Sequence, residues 1–289
     1  MRIDQVTVIG LGLIGGSLAW KIKDKKLARV VGYARREETI KEALDKGIID
    51  EGTTDLINSI KNSNLIMVCT SIDSVTDIVK EISVYLRSDA IVVDVGSTKK
   101  KIVYELSNSL PEGVTFIGGH PMAGSEKSGI DAADKNLFDG AKFILTPYKT
   151  PDNQKIIKLN YFIEKLGMKI EYLSPDEHDL AVAAISHLPY LMAATLVNTI
   201  GTHENSAIFL RVAASGFKDT TRVSSSPSLW GKDVCVTNKD QILLMINAFK
   251  DNLNYMESLI KLNKEKELLD YFENAIGTRK KLTHNGESK

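Results

Sequence analysis

The chain has 289 residues, and its 37 basic side chains (Lys and Arg) are balanced by 37 acidic ones (Asp and Glu). A formal net charge of zero argues against nucleic acid or an anionic membrane as a partner, because neither would attract this chain from a distance. Apolar residues make up 43% of the sequence without enrichment of Pro or Gly, which is typical of a globular protein. At about 150 residues per domain, the length predicts two domains.

The cysteine content and the N-terminus indicate a reducing compartment. Cys69 and Cys235 are too few for a disulfide scaffold. The segment MRIDQVTVIG enters a strand-like run directly, without the pattern of a secretory signal, so we expect a cytoplasmic protein. The longest apolar stretch, AVAAISHLPYLMAATLV, contains His187 and Pro189 and follows the acidic DEHD. We interpret it as a buried helix rather than a membrane span.

Strand-like runs recur through the first part of the chain. In order they are VTVIG, RVVGYA, LIMVCT, AIVVDVG, TFIGG, KFILTP and KIEYLS. Most show little period-two alternation, as strands buried on both faces should, and helix-like stretches such as GGSLAWKIKDKKL, REETIKEALDKG and DSVTDIVKEISVYL separate them. The pattern predicts an α/β fold, a doubly wound parallel sheet forming a dinucleotide-binding domain over residues 1–174.

The pattern changes after KIEYLS. Ser174 can cap a helix that has Pro175 in its first turn and Glu177 at the capping-box position. We predict a helix from about Pro175 to Ile200, a polar break around 202–206 and later helices such as KDQILLMINAFKDNLNYMESLIKL. An all-helical substrate and dimerisation domain then spans 175–279, and 280–289 form a loose tail. About a hundred residues of such helices make a thin core, so we expect a second copy to pack against them.

A glycine motif follows the first strand-like run. Gly10, Gly12 and Gly15 have G-x-G-x-x-G spacing at the start of a predicted helix. The first glycine permits a tight turn, the second lets the backbone approach a pyrophosphate, and the third lets helix and strand pack closely. Free N–H groups at the helix start would meet the phosphates. Four further residues complete this part of the predicted cofactor site, namely Leu13, Ile14, Thr70 and Ser71.

The end of the second run bears on the choice between NAD and NADP. An NAD-selective site usually carries Asp or Glu about 20 residues after the glycines, whereas this chain has Ala34, Arg35 and Arg36. A guanidinium can hold a 2′-phosphate through paired N–H bonds, which favours NADP. The alternative is that both arginines are solvated at a helix start, neutralised by Glu37 and Glu38.

Four ordered motifs carry a family resemblance. The segments DVGSTKKKIVYEL, GGHPMAGSEKSG, SHLPY and GFKDTTR together resemble the prephenate and arogenate dehydrogenases of tyrosine biosynthesis, over nearly the whole chain. The resemblance implies a Rossmann-type domain, a helical dimerisation domain and oxidative decarboxylation of a cyclohexadienol, prephenate or arogenate, by a nicotinamide cofactor.

His120 is the predicted catalytic residue. It follows a strand in a Gly-rich segment at the carboxyl edge of the sheet, where ligands bind such folds, and an imidazole can accept a hydroxyl proton near neutral pH. A structural histidine is the alternative, and the resemblance, in which the matching histidine is catalytic, favours function. The resemblance also implies that Ser97 orients His120. Hydride would leave the carbinol carbon for the nicotinamide, and loss of CO₂ would give an aromatic ring.

The remaining predicted site residues recognise the substrate. Arg222 in GFKDTTR offers a fork of N–H donors to one carboxylate, and Asp219 could orient it. Glu126 in GSEKSG is implied by the resemblance to gate the site or to pair with the other subunit, against a solvated loop carboxylate as the alternative.

The motif SHLPY lies inside the predicted long helix. Pro189 should bend or interrupt that helix near His187. Ser186 and His187 match family residues and are interpreted as lining the substrate side, with packing of His187 in the core as the alternative. Tyr190 stands where some relatives have another His, which leaves side-chain recognition and inhibition by tyrosine open.

Other interpretations remain. His178, His203 and His284 have no metal-ligand spacing with one another or with the cysteines, so no metal is expected. Another hydroxyacid or imine reductase would share the two-domain build, and a nucleotide-sensing protein would share the Rossmann domain without turnover. The motifs around His120 and Arg222 argue against the first, and their combination with Ser97 argues against the second.

Overall fold

A computed structural model describes residues 3–107, 109–125, 127–148 and 152–284 of the chain. By contact density it divides into two compact units, Met1–Ile242 and Leu243–Lys289. The first unit holds the sheet together with the helices that directly follow it.

The described residues of the first unit form an eight-stranded sheet in the order β3-β2-β1-β4-β5-β6-β7-β8. All neighbours pair in parallel except β6 and β7, which are antiparallel. The strands are β1 Gln5–Ile9, β2 Arg29–Tyr33, β3 Glu51–Thr53, β4 Leu65–Val68, β5 Ile91–Asp94, β6 Thr115–Pro121, β7 Lys142–Thr146 and β8 Lys169–Tyr172. The order reverses between β1 and β4, which opens a crevice at their carboxyl ends where open α/β sheets bind ligands.

Helices cover both faces of this sheet. They are α1 Leu13–Asp24, α2 Glu37–Asp45, α3 Leu56–Ile60, α4 Ile72–Ser83, α5 Lys100–Leu106 and α6 Asn153–Lys165. Alternate residues of β4 enter opposite cores: Leu65 and Met67 pack in one apolar cluster, Ile66 and Val68 in the other, and all four are fully buried. Each such side chain contributes about 1.5–3 kcal/mol on burial. Strands that must be apolar on both faces explain the near-continuous apolar runs of the sequence.

The doubly wound fold predicted from the sequence is confirmed, with two differences. All seven strand-like runs become strands, but the sequence does not predict β3, because Glu51–Thr53 has no apolar run of its own. This strand pairs in parallel with β2, and its Glu51 also forms an ion pair with Arg29 of β2. The sheet is also not wholly parallel, since β7 runs against β6.

Helices follow the sheet through the rest of the described chain. They are α7 Pro175–Val182, α8 Leu188–Gly201, α9 Ser206–Val212, α10 Ser215–Thr221, α11 Ser228–Thr237, α12 Lys239–Lys261 and α13 Glu265–His284. The predicted capping box is present: Ser174 Oγ accepts from the Glu177 N–H at 3.2 Å, and Glu177 Oε2 accepts from the Ser174 N–H at 2.8 Å. The predicted break after the long helix is confirmed by the end of α8 at Gly201.

The predicted interruption near His187 is also confirmed. A π-helical turn, Ala183–His187, joins α7 to α8. Pro189 explains it, because proline has no N–H to donate and its ring clashes with the carbonyl of Ile185 in a regular α-helix; a wider turn relieves both problems.

Two expectations for the helical part need correction. The apolar stretch is not buried within the chain: Ile185 is 66% exposed, and only 22% of the most apolar window of Pro175–Gly201 is buried, because few other described segments cover this helix. By length and composition alone this helix could cross a membrane. The loose tail does not begin at 280, since α13 continues to His284 in a sequence rich in helix formers.

Candidate active site

The glycine turn has the geometry that the sequence predicts. Gly10 has φ +98°, a conformation that favours glycine, and its N–H donates to Tyr33 O at 2.9 Å. A Cβ on Gly10 would lie 2.6 Å from Cys69 O, at the end of β4. The turn therefore holds β1, β2 and β4 together at the crevice.

Gly12 and Gly15 play different parts. A Cβ on Gly15 would stand 1.9 Å from Gly10 O, so only glycine lets α1 pack so closely on the turn. A Cβ on Gly12 would meet no atom within 4 Å, so this position, the N-cap of α1, faces open space. Open backbone at a helix N-terminus suits a pyrophosphate, whose charge the free N–H groups and helix dipole stabilise. These residues fit a dinucleotide.

The rest of the predicted cofactor set lies at the same edge. Ala34, which directly follows β2, is buried, whereas the next two residues, Arg35 and Arg36, are exposed. Arg36 is the N-cap residue of α2. At the end of β4, Thr70 Cγ2 lies 3.2 Å from the Cβ position of Gly10, and Ser71 is the N-cap residue of α4. No carboxylate therefore occupies the turn that directly follows β2.

One cavity of about 660 Å³ joins the glycine turn to the helices that follow the sheet. Its wall includes eight residues predicted from the sequence: Gly12, Leu13, Ile14, Ser97, His120, Ser186, Tyr190 and Arg222. Residues from five separate segments of the sequence thus meet within the first compact unit, between the carboxyl edge of the sheet, the π-helical turn and the segment before α11.

The His120 ring is held by a second histidine. His120 Nδ1 lies 2.9 Å from His178 Nε2, and His178 Nδ1 lies 2.8 Å from Asp179 Oδ1. Burial lowers the pKa of His120 well below its usual value, and His178 and Lys99 nearby lower it further. His120 is therefore neutral at pH 7 and can act as an acceptor.

The Asp179 carboxylate is fixed by the start of α5. Its Oδ1 accepts from the Lys99 N–H at 2.7 Å, and its Oδ2 accepts from the Lys100 N–H at 3.0 Å. The Lys99 ammonium lies fully buried against Asp94, whose Oδ2 also accepts from the Gly96 N–H at 2.9 Å. A buried ion pair thus anchors the segment that positions Asp179 and Ser97.

Ser97 has a different partner from the one predicted. Its Oγ accepts from Trp230 Nε1 at 3.0 Å, and among the described residues it is His178, not Ser97, that hydrogen-bonds to His120. Trp230 also meets the Tyr190 ring edge-on, with centroids 5.1 Å apart. Tyr190 fits there because its neighbour is Gly231, where a Cβ would stand 2.4 Å from Tyr190 Oη.

Not all of the other predicted substrate residues lie on the cavity wall. Arg222 is exposed to the cavity, together with Lys127. His187 is fully buried behind the wall, with Nδ1 3.3 Å from Asn238 Nδ2, so the interpretation that it lines the substrate side is not supported and core packing is observed. Asp219 is exposed and lies outside the wall, so its orienting role stays a prediction. Glu126 lies outside the described residues.

Sequence reasoning missed three residues of this site. The sequence singles out neither Asp179 nor Trp230, and it presents His178 only as a histidine without metal-ligand spacing. The one signal in the sequence is the neighbouring pair His178 and Asp179 just inside a capped helix, and nothing local ties that pair to position 120.

A larger cavity, about 1220 Å³, lies at the opposite, amino-terminal edge of the sheet beside α6. Lys155 Nζ points into carbonyl oxygens there, at 3.4 Å from those of Ser88 and Ala90. None of the described residues predicted for the site lines this cavity, so the smaller one is the candidate active site.

Known proteins resemble this chain in sequence and structure. A prephenate dehydrogenase from Bacillus subtilis is 35% identical over 276 residues, which cover 94% of this chain and 74% of that protein. The crystal structure of prephenate dehydrogenase from A. aeolicus with hydroxyphenyl propionate and NAD+ matches with a TM-score of 0.91 and 34% identity, covering 98% of this chain and 99% of that one. Synechocystis arogenate dehydrogenase matches with a TM-score of 0.84 and 32% identity, covering 96% and 99%.

Two family models together span most of the chain. Residues 18–172 match the prephenate dehydrogenase nucleotide-binding domain, and residues 174–274 match the prephenate dehydrogenase dimerization domain. The chain therefore belongs to the prephenate dehydrogenase family of NAD(P)-dependent oxidoreductases.

Proposed function

We propose that this protein is a prephenate dehydrogenase, which converts prephenate to 4-hydroxyphenylpyruvate and CO₂ with reduction of NAD(P)+, in tyrosine biosynthesis. The observation that carries the proposal is the shared cavity, in which a glycine turn suited to a dinucleotide, the neutral imidazole of His120 and the guanidinium of Arg222 all take part. The names of the relatives support the same reaction.

Each residue has a chemical task in this reaction. When bound, a nicotinamide supplies the hydride acceptor. His120 accepts the hydroxyl proton of the substrate as the carbon–oxygen bond becomes a carbonyl, and Ser97 shares the same cavity wall as a second hydroxyl contact. The bond from the ring to its carboxylate then breaks with release of CO₂, and its electron pair enters the ring, which becomes aromatic as the carbonyl oxygen takes the proton back from His120. Arg222 holds a substrate carboxylate through two parallel N–H bonds.

Cofactor choice follows from the turn after β2. We infer a preference for NADP, because Arg35 and Arg36 are exposed there without a carboxylate to accept from the ribose hydroxyls. NAD is the alternative, and the A. aeolicus relative was crystallised with NAD+.

Arogenate is the second candidate substrate. The similarity to Synechocystis arogenate dehydrogenase supports it. The two substrates differ only in a keto acid or amino acid side chain, so the residue that decides between them must face that side chain. Tyr190, on the cavity wall where some relatives have His, is our candidate for that contact.

We also propose a cytoplasmic homodimer whose substrate domain begins after Ser174, where the second family model starts. Support comes from exposed apolar side chains in each compact unit, such as Ile208 and Val212 of the first and Phe272 and Ile276 of the second. Both cysteines are free, as expected in a reducing compartment.

A two-by-two assay tests the proposal. Prephenate and arogenate are each incubated with NADP+ and with NAD+, and formation of the reduced cofactor is followed by its absorbance. We expect turnover with prephenate and a higher kcat/KM with NADP+. Absence of turnover in all four mixtures would refute the proposed function, while preference for arogenate would replace prephenate as the substrate.

A further inference from the structure

His178 and Asp179 form a hydrogen-bonded line behind His120 that leads away from the cavity. His120 lies on the cavity wall, whereas His178 and Asp179 are 0% and 1% exposed. Neither can reach the substrate, so any part they play in the reaction is transmitted through the His120 ring.

The direction of each hydrogen bond in this line follows from the backbone N–H groups that hold Asp179, at the end farthest from the cavity. The N–H groups of Lys99 and Lys100 can only donate, so both Asp179 oxygens act as acceptors toward the start of α5. Asp179 Oδ1, as an acceptor, requires the hydrogen of the 2.8 Å contact to be on His178 Nδ1. A neutral His178 then presents a lone pair at Nε2, and the 2.9 Å contact requires the hydrogen to be on His120 Nδ1.

The charged groups around the line are consistent with two neutral rings. Burial lowers the pKa of both His120 and His178. The ammonium of Lys99, fully buried against Asp94, opposes protonation of either ring, while Asp179 favours a charge on His178. His187, behind the wall, is also neutral, because burial lowers its pKa to about 4.

We propose that His178 and Asp179 are positioning residues that fix His120 in the tautomer with hydrogen on Nδ1, so that Nε2 is the atom that accepts the substrate proton. The inference rests on the proposed function for its chemistry. A correctly placed lone pair on Nε2 needs no reorganisation at the moment of proton transfer. The negative charge of Asp179, which is hydrogen-bonded to His178, stabilises the imidazolium that forms at His120.

The decisive variant is Asp179→Asn, with Asp176→Asn as its matched control. The amide introduced by Asp179→Asn can donate to His178 Nδ1, which would reverse the line and place hydrogen on His120 Nε2. Asp176 belongs to the same helix and pairs with the side chains of Lys100 and Tyr104, whereas the line uses only the backbone N–H of Lys100. We expect Asp179→Asn to lower kcat by about 10²- to 10⁴-fold, the range of one acid–base group, with KM for the cofactor within about threefold. Asp176→Asn should keep kcat within about threefold of wild type.

Two further measurements separate positioning from a merely structural role. His178→Gln retains an acceptor for His120 Nδ1–H and should recover most of the activity that His178→Leu loses. Histidine ¹⁵N NMR of the wild-type protein should show hydrogen on Nδ1 of His120, and the acid limb of kcat/KM should move to lower pH in Asp179→Asn because the stabilising charge is gone.

The outcomes are distinct. A wild-type His120 with hydrogen on Nε2, or Asp179→Asn with unchanged kcat, would overturn the inference. If Asp179→Asn fails to fold, the NMR tautomer and the His178 pair still decide it. If the wild type turns over neither substrate, the proposed function is wrong, and the NMR measurement decides the tautomer independently.

Discussion

Two glycines of one motif should respond differently to replacement by alanine: Gly15→Ala should mainly lower the stability of the fold, and Gly12→Ala should mainly weaken cofactor binding. In Gly15→Ala the new methyl would lie 1.9 Å from Gly10 O and 2.9 Å from Cys69 Cβ. The nearer obstacle is a backbone carbonyl inside a turn, which cannot swing away, so α1 must retreat. Overpacking of this kind costs about 1–3 kcal/mol, and we expect the upper half of that range.

Gly12→Ala places its methyl in open space, with no atom within 4 Å. The backbone of Gly12, φ −92°, is one that alanine adopts freely. Loss of a preferred N-cap residue should cost less than about 1 kcal/mol. The methyl instead occupies the approach of the pyrophosphate, and a clash of about 1–3 kcal/mol there raises the cofactor Kd by about 5- to 150-fold.

The assay combines thermal unfolding without cofactor and a cofactor titration on both variants. At about 2–4 °C per kcal/mol for large domains, Gly15→Ala should lower Tm by about 4–12 °C and Gly12→Ala by less than about 4 °C. Equal destabilisation by both variants, or an unchanged cofactor Kd in Gly12→Ala, would show that the turn does not meet a pyrophosphate in this way.

Three more predictions follow from the site. Arg222→Lys should raise KM for the substrate by about tenfold or more and leave KM for the cofactor nearly unchanged, because lysine cannot make the paired bonds to a carboxylate; the reverse pattern in steady-state kinetics would remove Arg222 from substrate binding. Replacing Arg35 and Arg36 together by alanine should reduce kcat/KM for NADP+ about tenfold more than for NAD+, and equal reductions would favour the solvated-helix alternative. Because the pKa values of His120 and His178 are lowered in the folded protein, the unfolded chain binds more protons below its histidine pKa of about 6.5; Tm should fall between pH 7 and pH 5, and a Tm that rises on acidification would contradict their buried, neutral state.

How far the sequence predicts this molecule depends on whether the information is local. The strand Leu65–Val68 can be predicted from its unbroken apolar run, and the irregular turn can be predicted from Pro189, because each signal lies in the local sequence of the element itself. The direction of β7 cannot be predicted in this way, because Lys142–Thr146 is equally apolar on both faces whichever way the strand runs. The short β3 has no apolar run, and both its pairing with β2 and its Glu51–Arg29 ion pair join residues that are distant in sequence.

The same distinction between local and non-local information applies to the site residues. The glycine spacing and the motif histidine were found because their patterns are contiguous in sequence. The contact between His120 and His178 spans 58 positions and exists only because α7 packs on α5 and β7, where the Asp179 carboxylate meets the first N–H groups of α5. Periodicity shows which face of α7 is apolar and cannot show what a buried polar pair on it will meet.

The charge balance of the chain gives the cavity its electrostatic character. With 37 charges of each sign, the whole molecule exerts no net pull on an anionic substrate, so attraction must come from cations at the cavity itself. In the proposed reaction Arg222 and Lys127, which both lie on the cavity wall, would supply that attraction, but the same positive field would hinder protonation of a neighbouring base. The positioning proposed for His120 would reconcile the two needs. Its partner His178 is backed by the Asp179 carboxylate, and a negative charge two hydrogen bonds away can stabilise an imidazolium without pairing with the cations that would hold the substrate.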